Sequence, residues 1–249
     1  MIKDVFNKTI VVTGGAVGIG YAIAESFLQN NPRVVIILDI NEELGAAAIN
    51  NLAAKYGENK VVFFKCDVIT DLESISNRIV EEYKTVDVLV NNAGMLNDSA
   101  FKETIEINVT ALIDWSFKFW EHMRKDKSGK GGTIMNIASI YGYMIDPYVP
   151  VYHASKFAVM GFTKSLGHVN NFTKFGVRVV AICPGFTETV LLKDMKTWTP
   201  KVKEEFNAYA KSQPWQKPEA VGKAAVEVFE NAKSGTAWRI FDSQPVIEV

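Results

Sequence analysis

Cysteine is scarce in this chain. Cys66 and Cys183 are the only two among 249 residues, and each falls at an expected strand or its end. Two isolated cysteines build no disulfide framework, which excludes a stapled secreted scaffold and points to the reducing cytoplasm. Histidine is nearly as scarce. His122, His153 and His168 stand at no ligand spacing from either cysteine. A zinc centre needs clustered thiolate, imidazole or carboxylate ligands, so no metal is expected. The three imidazoles are expected on helix surfaces or partly packed, and no Ser-His-Asp arrangement is apparent. Neither sign of charge dominates, with 27 Lys+Arg against 28 Asp+Glu. That balance excludes nucleic acid and anionic membrane as expected partners. Long apolar runs are missing too. The opening MIKDVFNKTIVVTGG is charged through its first eight residues. Its apolar part is too short to span a bilayer and reads as a strand, not a signal peptide.

What is present is alternation. Short β-branched runs lie at 8–13, 33–38, 60–65, 87–90, 132–137, 177–183 and 236–241. Their interiors are apolar with little alternation, as in parallel strands covered on both faces. Helical periodicity fills the gaps at 18–30, 42–56, 71–84, 99–125, 151–174, 200–211 and 218–231. No repeat or linker divides the chain, so residues 1–249 are expected to form one domain. Repeated strand–helix–strand units predict a doubly wound α/β fold: a seven-stranded parallel sheet with helices on both faces. Ligands of such folds collect outside the carboxyl ends of the strands.

The first strand runs into Thr13-Gly14-Gly15-Ala16-Val17-Gly18-Ile19-Gly20, and a helix follows. Glycines let the backbone turn tightly, and the helix N-terminus offers free N–H groups to a pyrophosphate. A glycine-rich turn alone is a weak signal; its place between the first strand and the first helix strengthens it. Gly14, Val17, Gly18, Ile19 and Gly20 are therefore candidate cofactor contacts. The second strand ends at Asp39, whose carboxylate suits ribose hydroxyls and repels a 2′-phosphate. No Arg or Lys lies in the glycine loop, so NAD is favoured over NADP. Asp67 and Val68 follow the third strand, and Asn91, Ala93 and Gly94 follow the fourth. Asp67 suits an adenine amino group, and the Asn-Ala-Gly turn suits close backbone approach.

The chemical candidates lie further on. Tyr152 and Lys156 are four residues apart on an expected helix, hence on one face. An ammonium ~4–5 Å from a phenol contributes on the order of 3–4 kcal/mol at an effective dielectric of ~20. That suffices to lower the phenol from ~10 by roughly two to three, so the expectation is a tyrosine made acidic by its lysine. Ser139 closes the fifth strand, where its hydroxyl can hold a substrate oxygen. Asn108 sits mid-helix, an uncommon place for asparagine.

Together these motifs resemble the short-chain dehydrogenase/reductase family over essentially the whole chain: TGGAVGIG, Asp39, CDV, NNAG, Asn108, Ser139, YHASK and PGFTET. Within it the chain is most similar to insect-type alcohol dehydrogenases and NAD-dependent 15-hydroxyprostaglandin dehydrogenases. The resemblance implies a Rossmann domain with a catalytic Asn108, Ser139, Tyr152 and Lys156. It implies that Tyr152 is the acid/base, that Ser139 positions substrate, that Lys156 also holds the nicotinamide ribose, and that Asn108 maintains a proton relay. It places Pro184, Gly185, Phe186, Thr187 and Thr189 beside the nicotinamide. It also implies a homodimer or homotetramer through the helices at 99–125 and 151–174.

Segment 190–215 is expected as a substrate lid. Leu191, Leu192, Met195, Trp198, Phe206, Tyr209 and Trp215 are its candidate apolar walls, with Tyr141, Met144, Ile145 and Tyr148 opposite. An apolar secondary alcohol or its ketone is the expected substrate. Two other functions remain open: a dinucleotide-binding redox sensor or scaffold with little turnover, and an NADP-linked carbonyl reductase.

Overall fold

A computed structural model describes residues 4–193 and 195–249. Met1, Ile2 and Lys3 of the expected domain and Asp194 of the expected lid lie outside the described residues. The strands are β1 (Thr9–Thr13), β2 (Val34–Asp39), β3 (Val61–Lys65), β4 (Val88–Asn91), β5 (Gly132–Ile137), β6 (Val177–Pro184), β7 (Ala237–Ile240) and β8 (Ile247–Glu248). They form one sheet in the order β3-β2-β1-β4-β5-β6-β7-β8. The first seven are parallel, and β8 runs antiparallel to β7 with Trp238 opposite Glu248. Seven parallel strands were expected; the eighth is two exposed residues, too short to leave a pattern.

The strand order reverses at β1. Val12 pairs with Ile37 of β2 on one side and with Val90 of β4 on the other. Chains leaving β1 and β4 therefore depart to opposite faces, which opens a crevice above their carboxyl ends. Every residue of β1 and β6 is buried, which is why these strands read as mainly apolar runs; Arg178 of β6 is tolerated there because it donates to Ala232 O and Phe229 O.

The helices are α1 (Gly18–Leu28), α2 (Glu42–Tyr56), α3 (Leu72–Tyr83), α4 (Phe101–Ile105), α5 (Leu112–Met123), α6 (Pro150–Leu166), α7 (Val169–Phe175), α8 (Val190–Lys193), α9 (Pro200–Lys211) and α10 (Pro218–Asn231). On one face α1 packs on α10, where Phe27 meets the edge of Phe229 at 5.9 Å. On the other, Trp115 stacks on Phe119 at 6.0 Å. Burying each such ring contributes on the order of 2–3 kcal/mol.

Two expected helices are broken. Residues 99–125 form a 3₁₀ turn, α4, a π-helical stretch at Glu106–Ala111 and then α5. Periodicity does not reveal this, because a wider turn shifts the helical register, and the shift is hidden where apolar residues such as Trp115, Phe117 and Trp120 already lie on more than one side. The segment expected as 151–174 is α6 followed by α7. It breaks at Gly167, where a Cβ would sit 2.6 Å from Gly235 N and Val179 O. His168 then caps α7, its Nδ1 accepting from Asn170 N.

Candidate active site

The loop after β1 is held by its glycines. Gly14 has φ +61°, and a Cβ there would lie 2.9 Å from Ala93 Cα. Gly20 serves a different contact. A Cβ at Gly20 would lie 2.2 Å from Gly14 O, so its hydrogen lets α1 press against the loop from behind. Asn92 completes the clamp, its Nδ2 donating to Thr13 O at 3.1 Å and Gly14 O at 2.8 Å. At the end of β2, Asp39 accepts from Ala16 N and Asn41 N, each at 3.1 Å. The carboxylate thus ties the glycine loop to the neighbouring strand end.

A groove of about 340 Å³ runs over these strand ends. Gly14, Val17, Gly18, Ile19, Asp39, Asp67, Val68, Ala93 and Gly94 line one half. Ser139, Tyr152, Lys156, Pro184, Gly185, Phe186, Thr187 and Thr189 line the other. Three candidates are placed differently. Gly20 stands behind the loop. Asn91 is turned into the interior, donating to Ser116 Oγ at 2.8 Å and Asn136 Oδ1 at 2.9 Å. Asn92, one residue on, takes the groove position. Asn108 is 1% exposed, and its amide is spent on Met95 N, Met95 O and Ser155 Oγ. Within the π-helical turn its side chain holds the β4 exit. Ile40, Cys66, Leu96 and Ile107 also line the groove. They were missed because an apolar wall residue looks like any core residue.

The reactive end is compact. Ser139 follows β5, and its Oγ accepts from Tyr141 N at 3.1 Å. Lys156 lies one turn beyond Tyr152 on α6, its Nζ donating to Ile137 O at 2.9 Å and standing 5.4 Å from the Tyr152 ring centroid. All three residues are buried. The expected spacing is present, but the sign for the tyrosine is opposite. Burial raises the Tyr152 phenol above its ordinary value, and the hydrogen bond with Ser139 only partly offsets this. The same burial lowers the Lys156 ammonium to about 8. Desolvation outweighs the attraction of the lysine charge and dominates both groups.

His153 is a second departure from expectation. It is buried rather than on a helix surface, and its Nε2 lies 3.2 Å from Asp146 Oδ1. Burial works to raise the Asp146 carboxyl, yet the His153 imidazole bonded to it and the Tyr141 hydroxyl nearby hold it below the usual range. His153 also stacks on Tyr141, which packs edge-on against Tyr152 at 6.2 Å. Tyr141, Phe186, Leu191 and Leu192 wall the groove beyond Ser139. Met195 and Phe206 are buried behind them. Trp198 at 56% exposure and Ile145 at 79% stand outside, as does Met144. Tyr148 packs on Phe206 and Tyr209, and Trp215 on Phe186.

Comparison with known proteins follows the same lines. The sequence model of the family described as short chain dehydrogenase matches residues 8–200. The 15-hydroxyprostaglandin dehydrogenase (NAD(+)) of Rattus norvegicus is 36% identical over 192 residues, covering 76% of this chain and 72% of its own. Alcohol dehydrogenase 2 of Ceratitis capitata is 35% identical over 237 residues, covering 92% of this chain and 89% of its own. A solved short-chain type dehydrogenase/reductase from Mycobacterium marinum superposes with a TM-score of 0.82 across 96% of both chains, at 21% identity. That last likeness concerns the fold.

Proposed function

This chain belongs to the short-chain dehydrogenase family, and from that premise we propose that it is an NAD-dependent oxidoreductase interconverting a secondary alcohol and its ketone. The observation that carries this reading is the convergence of Ser139, Tyr152 and Lys156 on the groove that begins at the glycine loop.

The groove fits a dinucleotide. The positive-φ turn at Gly14 leaves room for close backbone approach, and Asp39 presents a carboxylate at the ribose end. No Arg or Lys among the described lining residues attends that end, which favours NAD over NADP. Asp39 and Asp67 with the glycine loop would hold the adenosine half; Lys156 and Pro184 to Thr189 would hold the nicotinamide half. When bound, NAD supplies the acceptor or donor of the hydride.

The chain's own groups handle the proton. Ser139 holds the substrate oxygen, and Tyr152 takes the alcohol proton or returns it to the ketone oxygen. Because burial keeps the phenol protonated at neutral pH, reduction finds its acid ready. Oxidation gains as pH rises and the phenol can release its proton. Lys156 places a cation beside that exchange.

The substrate we propose is apolar, since Tyr141, Phe186, Leu191 and Leu192 wall the reactive end. Residues 190–215 act as its lid. Supporting this, Leu191 and Leu192 of the segment line the groove, the Thr187–Gln216 bridge closes its base, and the Asn97–Lys196 bridge holds a point within it against the body. We propose a homo-oligomer through α5 and α6, where Phe117 and Phe157 are exposed side chains. Among the described residues no helix is long and apolar enough to cross a membrane, and cytoplasmic residence completes the proposal.

The test is Tyr152→Phe, assayed with a panel of secondary alcohols and NAD. Turnover is expected to fall by about 10²–10⁴-fold, the usual worth of general acid–base catalysis, while NADH binding stays within about twofold. Unchanged turnover would remove Tyr152 from the chemistry.

A further inference from the structure

Helix α6 carries Tyr152 and Lys156, yet its own sequence supplies no cap. The N-cap position is Val149, with Pro150 following, and no local side chain accepts from the first amides. Uncapped amides in a buried helix end are costly. The missing acceptor comes from far away in sequence. Asp98 Oδ2 accepts from Val151 N at 2.8 Å, and Oδ1 accepts from Tyr152 N itself at 3.1 Å. Asp98 is buried; burial raises its carboxyl, and the two amide bonds pull it back. A carboxylate kept in so unfavourable a place is held there by these bonds and by the partial positive charge of the helix end.

The other side of Asp98 leads to the substrate segment. Its backbone N–H donates to Lys196 O at 2.8 Å, and Lys196 N donates back to Leu96 O at 3.2 Å. This two-bond bridge is parallel. Beside it, Met195 is buried in the same apolar cluster as Leu96, Tyr152, Phe186 and Phe206. One residue thus joins the lid by its main chain and the catalytic tyrosine by its side chain.

We propose that Asp98 is a positioning residue that couples docking of the 195–197 stretch to the seating of Tyr152, a role that rests on the function proposed above. Docked, the bridge fixes the Asp98 backbone, and the carboxylate fixes the first turn of α6. Released, the Tyr152 amide loses its anchor and the phenol loses its register with Ser139. A misplacement of about 1 Å in such a site costs on the order of 10²-fold in rate.

Two readouts test this, and one needs no turnover. Lys196→Pro removes the N–H that bonds Leu96 O and fixes the backbone at residue 196, and the side chain it replaces is exposed. Hydrogen exchange followed by mass spectrometry should then show at least about tenfold faster exchange in the peptide spanning 150–156, as Asp98→Asn should directly. Unchanged exchange there in Lys196→Pro overturns the coupling whether or not the protein oxidises alcohols. The second readout is kinetic. Asp98→Asn should lower kcat per NADH-binding site by about tenfold or more, with KM and the NADH Kd within about twofold. In that background Lys196→Pro should cost little more, because both act through one link. Independent, multiplying effects overturn the proposal. Where Asp98→Asn loses NADH-binding stoichiometry, Asp98→Glu keeps the charge but displaces it by a methylene, and the same fall in kcat is expected. Failure of the wild-type enzyme to turn over any secondary alcohol sinks the proposed function and leaves the exchange result to decide the coupling.

Discussion

Replacing Lys156 with methionine should make the protein more stable at neutral pH while disabling it. The side chain is buried, and burial lowers its ammonium from 10.5 to about 8. A depression of that size corresponds to about 3 kcal/mol of unfavourable charge burial at pH 7. Methionine fills a similar volume without charge. It forfeits the hydrogen bond to Ile137 O, worth about 1 kcal/mol net. The expected gain at pH 7 is therefore about 2 kcal/mol. The sign depends on pH. The folded lysine binds its proton less tightly than the unfolded one, so the unfolded chain carries more protons between about 8 and 10.5. Wild-type stability accordingly rises through that window as the penalty disappears. By about pH 10 the variant's advantage should have fallen to roughly zero. Urea denaturation at pH 7 and pH 10, with equal m-values, reads both numbers. A variant less stable at pH 7, or a gap unchanged at pH 10, refutes the claim that Lys156 is held as a cation at a cost.

Two further substitutions probe the cofactor half. Gly20→Ala puts a methyl 2.2 Å from Gly14 O and 2.5 Å from Asn92 Nδ2. It should displace the glycine loop and weaken NADH binding by about tenfold or more in a fluorescence titration, although residue 20 does not line the groove; an unchanged Kd would mean the loop shape tolerates the shift. Asp39→Asn removes the negative charge at the ribose end but keeps an acceptor for Ala16 N. The preference for NAD over NADP in kcat/KM should drop by about tenfold, and a preserved ratio would place discrimination elsewhere.

The parts of the fold that were legible share a cause. The β5 run at 132–137 and helices α2, α9 and α10 match their expected bounds because local signals coincide with real ends: Asn41 accepts from Leu44 N, Thr199 from Val202 N, and Pro218 opens α10. Where an end depends on distant backbone, the sequence is silent. Gly167 ends α6 because Val179 and Gly235 lie against it, and neither is a neighbour in sequence. The site divides in the same way. Residue types with special chemistry, such as Asp39 and Ser139 at strand ends and Tyr152 on α6, announced themselves, and all three line the groove. Asp98 did not, since its partners Val151, Tyr152 and Lys196 lie far along the chain; nor did the pairing of Asp146 with His153, which the turn between β5 and α6 brings together. Asn91 and Asn92 were interchanged in effect, because a one-residue step at a strand end reverses which side chain faces the groove.

Burial explains why the tyrosine–lysine pair behaves differently from a pair in water. Moving a phenol and an ammonium into the same dry wall pushes their proton affinities in opposite directions: the phenol rises, away from neutrality, and the ammonium falls toward it. Lys156 is then the member of the pair whose charge is most easily changed near neutral pH, and Tyr152 the member whose proton is best retained. Asp98 belongs to this balance as well. It places a carboxylate against the Tyr152 amide, on the backbone side of the residue, where it steadies the helix without competing with Ser139 for the hydroxyl. The site is assembled from groups that each disfavour burial, and what holds them is bonding to main chain: Lys156 to Ile137 O, Asp98 to Val151 N and Tyr152 N, Asn108 to Met95. Those main-chain partners sit at the end of β5, the start of α6 and the loop that leaves β4, so the backbone above the strand ends, more than any pair of side chains, sets where the phenol can be.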